Sequence, residues 1–145
     1  MFIEDLFFHL FHRLLHWRVI YPYIHKKHHE YNTSIGIAAE YAHPVEFMLT
    51  SYPSIMGAEF LGMRMHAYTY MVWVVVRIYE TVDGHSGYSF PWVPFRLFPV
   101  QSPGGYHEFH HSHNVGNYSS FFTIWDTLSG SNKFYYDYIE KRKAR

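Results

Sequence analysis

Thirteen of the 145 residues are histidine, and eight of these fall into three short boxes. The boxes read HRLLH (His12, His16), HKKHH (His25, His28, His29) and HEFHH (His107, His110, His111). Neutral imidazole is the commonest side-chain metal ligand and serves iron, copper, nickel and zinc alike. Spacings of three and four put two rings on one helix face, about 6 Å apart along its axis. A doubled HH adds a second direction, since helix neighbours are turned by about 100°. One ring can then face one metal while its neighbour faces another. The pattern points to a two-metal centre held by several helices, with imidazole largely replacing the carboxylates of di-iron bundles. A lone HxxxH is as often a pair of solvated surface rings, and a His-rich tract is often a loose metal buffer. Three boxes separated by long apolar and aromatic segments fit neither. The boxes specify a metal without choosing among metals.

The rest of the composition narrows the setting. By length the chain is one domain, residues 1–145. It has no cysteine, which excludes a disulfide framework and a thiolate metal site. Its formal charge is zero with histidine neutral, so there is no electrostatic footprint for nucleic acid. Aromatics reach 21%, with fourteen Tyr and thirteen Phe, a surplus that fits contact with lipid or a bulky apolar ligand. Glu4 and Asp5 stand where a signal peptide needs positive charge. No segment reaches the ~18 uncharged apolar residues of a transmembrane helix. Residues 45–62 contain Glu46, Pro53 and Glu59, and residues 65–76 are uncharged but end at Arg77. Joined through Gly62–Arg64 they read as an apolar helical hairpin, about 45–80, associated with a membrane.

These elements must position the boxes. Residues 2–17 predict a helix with Phe2, Leu6, Phe7, Leu10, Leu14 and Trp17 apolar and His9, His12 and His16 grouped on one side. Pro22 interrupts it, and a second short helix carries the HKKHH box to about Tyr31. Asn32–Gly36 is turn-like, and Pro44 suits the first turn of the hairpin. Residues 83–105 are rich in proline and glycine and read as an ordered loop, packed through Tyr88, Phe90, Trp92, Phe95 and Phe98. The third box begins a helix after Gly104–Gly105, and the segment 117–130 ends at Gly130. The final EKRKAR is a basic, solvated end. The expected fold is all-α: a membrane-associated helical bundle around a histidine-box dimetal site.

The order HRLLH, HKKHHE, EYAHPVE, ETVDGHSGY, HEFHH, GNYSSFFTIWD resembles the fatty acid hydroxylase/sterol desaturase superfamily of membrane di-iron enzymes. AEYAHPVE (39–46), RIYETVDGHSGY (77–88) and GNYSSFFTIWD (116–126) resemble its C-4 methylsterol monooxygenase branch, with EKRK a weaker fourth segment. The resemblance covers nearly the whole chain. It implies two non-haem irons, with zinc the alternative occupant, and O2 activated with NAD(P)H electrons passed through cytochrome b5 and its reductase. It also implies a sterol or other lipid substrate, a place in the endoplasmic reticulum membrane, and oxidation of the sterol C-4 methyl group to carboxylate.

The family's boxes carry over onto His12, His16, His25, His28, His29, His107, His110 and His111, and its motifs add His43 and His85. That makes ten expected ligands, five per metal. His9, His66 and His113 match no box and are read as packing or surface residues. Ligating imidazoles usually donate their second N–H to a carboxylate or carbonyl. Asp5, Glu30, Glu40, Glu80, Asp83, Glu108 and Asp126 lie near enough in sequence, with Glu80 and Asp83 the preferred pair. Lys141 and Lys143 fit a KxKxx retrieval signal. Members of the family normally carry transmembrane helices before the first box, and such helices are expected to be missing here. The rival readings are a sterol side-chain (25-hydroxylase-like) or fatty acid hydroxylase, and a non-catalytic truncated remnant.

Overall fold

The computed structural model describes residues 2–32, 35–61, 65–93, 96 and 100–144. Among these, all regular structure is helical: α1 Phe2–Leu15, α2 Pro44–Leu61, α3 Ala67–Gly84, α4 Tyr106–His113, α5 Ile124–Ser129 and α6 Lys133–Lys143. Two 3-10 helices, His25–Glu30 and Gly36–Glu40, lie between α1 and α2, and an isolated bridge pairs Gln101 with Phe122.

The first helix is built inside out. Its buried face carries Glu4, Asp5, His9 and His12, with Leu15 at the end, while Phe2, Ile3, Leu10 and Leu14 are exposed. The periodicity marks the stripe correctly, but the stripe that turns inward is the polar one. A polar stripe can be buried only where partners wait for it. Here they are other imidazoles, an arginine and the backbone of residues 118–122. α1 packs against α2, and α3 against the 3-10 helix at 36–40.

The HKKHH box forms a 3-10 helix rather than an α-helix, and α1 stops at Leu15 rather than at residue 17. The turns between them span Pro22, which supplies no amide hydrogen to continue a helix. α2 starts at Pro44, where its missing N–H is no loss; His43 caps the start, its Nδ1 accepting from Val45 N–H at 3.2 Å. His66 does the same for α3, accepting from Tyr68 N–H at 3.3 Å. The expected link at Gly62–Arg64, and Phe95 and Phe98 of the loop, lie outside the described residues.

The apolar core is small. Tyr106 and Phe109 of α4 pack on Tyr135 of α6, flanked by Val115, Tyr138 and Ile139. Only the inner side of α6 is used in this way, which explains why its basic end looks merely solvated in sequence. Between α4 and α5 the chain makes a tight turn, with Asn114 (φ 53°), Gly116 (φ 62°) and Asn117 (φ 54°) all left-handed. Asparagine tolerates that region best among residues with a side chain. At Gly116 a Cβ would also meet Ser131 O at 2.0 Å, so only glycine fits.

Candidate metal centre

The three boxes and His85 converge. His12 from α1, His16 just past its end, His25 and His29 from the 3-10 helix, and His110 from α4 form one group of five donors; His28, His85, His107 and His111 form a second group of four. Within each group the donor atoms lie within 4.8 Å of one another. Every i, i+4 pair in the boxes stays in one group: His12 with His16, His25 with His29, His107 with His111. The ring at i+3, His28 or His110, crosses to the other group. Thus the second and third boxes each serve both groups, and the groups are held side by side.

The donor geometry fits metal ions. In the first group Nε2–Nε2 separations are 3.1 Å (His12–His25), 2.9 Å (His16–His25), 3.1 Å (His25–His29) and 3.0 Å (His16–His110). In the second they are 3.2 Å (His28–His85), 3.0 Å (His85–His107) and 3.2 Å (His107–His111). Metal–nitrogen bonds of about 2.1 Å at right angles give an edge of about 3.0 Å, whereas a tetrahedron gives about 3.4 Å. The seven separations of 2.9–3.2 Å are short enough for neighbouring nitrogens to share one ion.

Tautomers make the same case. His12 Nδ1 donates to Tyr118 O (2.8 Å), His110 Nδ1 to Gly116 O (2.5 Å), His28 Nδ1 to Tyr41 O (3.2 Å) and His85 Nδ1 to Thr81 O (2.8 Å). A carbonyl only accepts, so in each neutral ring the proton is on Nδ1 and Nε2 is a bare lone pair. Between His28 and His85 two lone pairs therefore face each other at 3.2 Å. Such an arrangement calls for a cation between the rings.

Burial keeps these imidazoles in the neutral form that can bind a metal. It pushes His12 down to about 4, and His29 and His85 down to about 3, with neighbouring imidazoles adding to the effect. Burial, again reinforced by neighbouring rings, holds His16, His25, His107, His110 and His111 well below the ordinary value. His28 is also lowered by burial, against the pull of its bond to Tyr41. All nine are neutral at pH 7, which is the ligating form.

Of the ten histidines expected as ligands, nine are brought together. His43 is not among them: it caps α2 through Val45 N–H. The two preferred carboxylates pair with arginines, Glu80 also accepting from Ser120 Oγ at 3.5 Å. Glu80 pairs with Arg77, whose Nε lies 2.6 Å from Glu4 Oε1, and Asp83 pairs with Arg96. Burial pushes Glu80 up to about 8 against the pull of Arg77. The carboxylate that reaches one of the nine converging rings is Glu46, whose Oε1 lies 2.7 Å from His25 Nδ1. Its only sequence signal was its place within the AEYAHPVE motif. His9, assigned to packing, is buried 3.3 Å from Asp126, itself fully buried. Burial works against ionisation of Asp126, but bonds from His9, Ser131 and Ser119 N–H outweigh it and hold its carboxyl below the usual value.

A cavity of about 500 Å³ opens beside both groups. Its lining includes the apolar Phe8, Phe47, Ile55, Trp73, Val74 and Ile78, the imidazoles of His12, His25, His28, His85 and His107, and the charged Glu40, Glu46 and Arg77.

Helical architecture among the described residues, nine converging imidazoles and an adjoining cavity with apolar walls fit a histidine-rich metal site beside a largely apolar pocket. Residues 1–131 match the fatty acid hydroxylase family, and the chain belongs to it. Similar proteins include methylsterol monooxygenase 1 of Rattus norvegicus, 43% identical over 97% of this chain and 47% of its own length. The protein of the same name from Gallus gallus is 43% identical over 99% of this chain and 48% of its own. The very-long-chain aldehyde decarbonylase GL1-8 of Oryza sativa subsp. indica is 40% identical over 92% of this chain and 50% of its own. The chain thus spans about half the length of the curated relatives it matches. No solved structure matches it.

Proposed function

We propose that residues 1–145 form the metal-binding unit of a membrane-associated di-iron monooxygenase. Its reaction is oxidation of the C-4 methyl group of sterol precursors, at the endoplasmic reticulum membrane. The observation that carries this reading is the cavity of about 500 Å³ whose lining includes imidazoles drawn from both groups. Pockets of ~300–1,000 Å³ with apolar walls are typical for small hydrophobic ligands. The names of the rat and chicken relatives supply the substrate class.

Two irons, when bound by the nine histidines, supply O2 activation with NAD(P)H electrons delivered by cytochrome b5 and its reductase. Zinc is the alternative occupant in isolated protein. The chain's own residues do the rest. The aromatic and aliphatic walls take a flat apolar skeleton and exclude water from the imidazoles. Thr50 Oγ1 donates to Glu46 O at 2.9 Å, so its hydroxyl is satisfied within α2. A methyl at the buried end of the ligand is the group presented to the centre. The carbonyls of Tyr118, Gly116, Tyr41 and Thr81 keep four rings in one tautomer.

Membrane association rests on apolar side chains exposed on two helices: Met48 on α2, and Tyr68, Met71, Val72 and Val75 on α3. No helix among the described residues is long and apolar enough to cross a membrane.

Product analysis tests the reading. Detergent-purified, iron-loaded protein with a 4-methylsterol, NAD(P)H, cytochrome b5 and reductase is expected to give the C-4 carboxylate. A side-chain alcohol or a hydroxy fatty acid in parallel assays assigns the site to those hydroxylases, and conversion of a long-chain aldehyde assigns it to the chemistry named for the rice relative. Absence of oxygen-dependent turnover leaves a metal-binding remnant.

A further inference from the structure

Two buried carboxylates clasp one stretch of backbone. Asp126 Oδ1 accepts from Tyr118 N–H and Oδ2 from Ser119 N–H, both at 2.9 Å. Asp5 accepts from the next three amides: Ser120 (3.1 Å), Phe121 (2.8 Å) and Phe122 (3.0 Å). Five consecutive N–H groups are thereby received by two side chains from opposite ends of the chain. The clasp bears on the metal centre through one peptide unit. The N–H of Ser119 and the C=O of Tyr118 belong to the same peptide, and that C=O accepts from His12 Nδ1 at 2.8 Å.

We propose that Asp126 is a positioning residue for the five-histidine group, acting on His12 through the Tyr118–Ser119 peptide. The carboxylate draws on the amide hydrogen, the peptide polarises, and its oxygen becomes a stronger acceptor for the imidazole N–H. A stronger acceptor on Nδ1 makes Nε2 a better donor to metal. This is the carboxylate–histidine–metal arrangement with a peptide inserted in it. Two hydroxyls hold the Asp126 carboxylate in place, Tyr106 OH donating to Oδ2 at 3.0 Å and Ser131 Oγ to Oδ1 at 2.6 Å. Asp5 holds the same backbone, but the peptides it polarises have their carbonyls at residues 119–121, and none of those oxygens accepts from a ligand ring among the described hydrogen bonds. Asp5 therefore provides an internal comparison: it secures the segment without acting on a ligand.

The inference rests on the reading of the nine histidines as ligands, and its test keeps the two apart. Metal-free protein, purified in detergent, is titrated with Co(II) against a competing chelator. Wild type is expected to bind two ions; failure to do so sinks the ligand reading itself. With two bound by wild type, D126N is expected to weaken one ion by about 10–100-fold, the usual size of an outer-shell effect, and to leave the other unchanged. D5N is expected to lower thermal stability while keeping both affinities within about 3-fold. Equal weakening by D126N and D5N, or none by D126N, overturns the proposal. A second measurement needs no variant. In Zn(II)-loaded, ¹⁵N-histidine-labelled wild type, the His12 Nδ1–H proton resonance is expected downfield of those of His28 and His85, whose acceptors are the carbonyls of Tyr41 and Thr81. A His12 resonance level with the other two overturns the relay as well.

Discussion

His110 and His111 are neighbours in the chain, yet their imidazoles belong to different histidine groups. His110 Nε2 lies 3.0 Å from His16 Nε2, His111 Nε2 lies 3.2 Å from His107 Nε2, and the two rings stand at 90° to each other. The turn of about 100° between helix neighbours produces this division. It makes the two groups separable by mutation. His110→Ala is expected to remove one metal and His111→Ala the other, each variant retaining about half the metal of wild type by elemental analysis. Loss of both from either variant would mean that the groups assemble only together.

Glu46 offers a test of the support given to a ligand. It is buried, and its Oε1 sits 2.7 Å from His25 Nδ1. Replacement by alanine leaves that ring without its acceptor. The expected result for Glu46→Ala is a 10–100-fold loss of affinity at one of the two positions, read by chelator competition. Glu80→Gln, which changes a carboxylate bonded to Arg77 rather than to a ligand, is expected to leave metal affinity near wild type.

The buried charge cluster carries stability rather than chemistry. Arg77 reaches Glu4, Glu80 and Ser120 from α3, with all three of the charged side chains buried. Arg77→Met removes the only cation of the set and leaves two carboxyls in a low dielectric. Breaking such a pair costs about 3–5 kcal/mol, measurable by denaturant unfolding of the metal-free protein. Full stability in this variant would mean that the carboxyls are neutral in the folded chain.

Acid sensitivity follows from the neutral rings. In the unfolded chain each imidazole takes up a proton near 6.5, whereas folded His12 does so near 4, and His29 and His85 near 3. Between those limits the unfolded state binds more protons, so stability is full above about pH 6.5 and falls as the pH falls. One unit below 6.5 each such ring lowers stability by about 1.4 kcal/mol. Asp5, which burial pushes up to about 6, and Glu46 and Glu80, which it pushes up to about 8, act in the opposite sense, as three carboxyls against the larger set of imidazoles. The melting temperature of metal-free protein is expected to drop steeply from pH 7 to pH 5. Bound metal should move that drop to lower pH, because protons must then displace it.

The sequence by itself singled out nine histidines that the fold brings together. Spacings of three and four, and the doubled HH, follow from helix periodicity, a local property that survives in the fold even where the helix is 3-10. Family motifs located His85, whose box is too short to stand alone. Assignment to groups was not legible, because it depends on which helix faces which: His28 and His110 cross over, and His43 stays at the start of α2. The supporting residues were hidden for the same reason. Glu46 meets His25 across 21 residues, and Asp5 meets Phe122 across 117. α1 shows the limit most plainly. Its periodicity gives two faces, but which one is buried depends on whether the rest of the chain supplies partners for Glu4, Asp5, His9 and His12, and only the tertiary structure brings those partners within hydrogen-bonding reach.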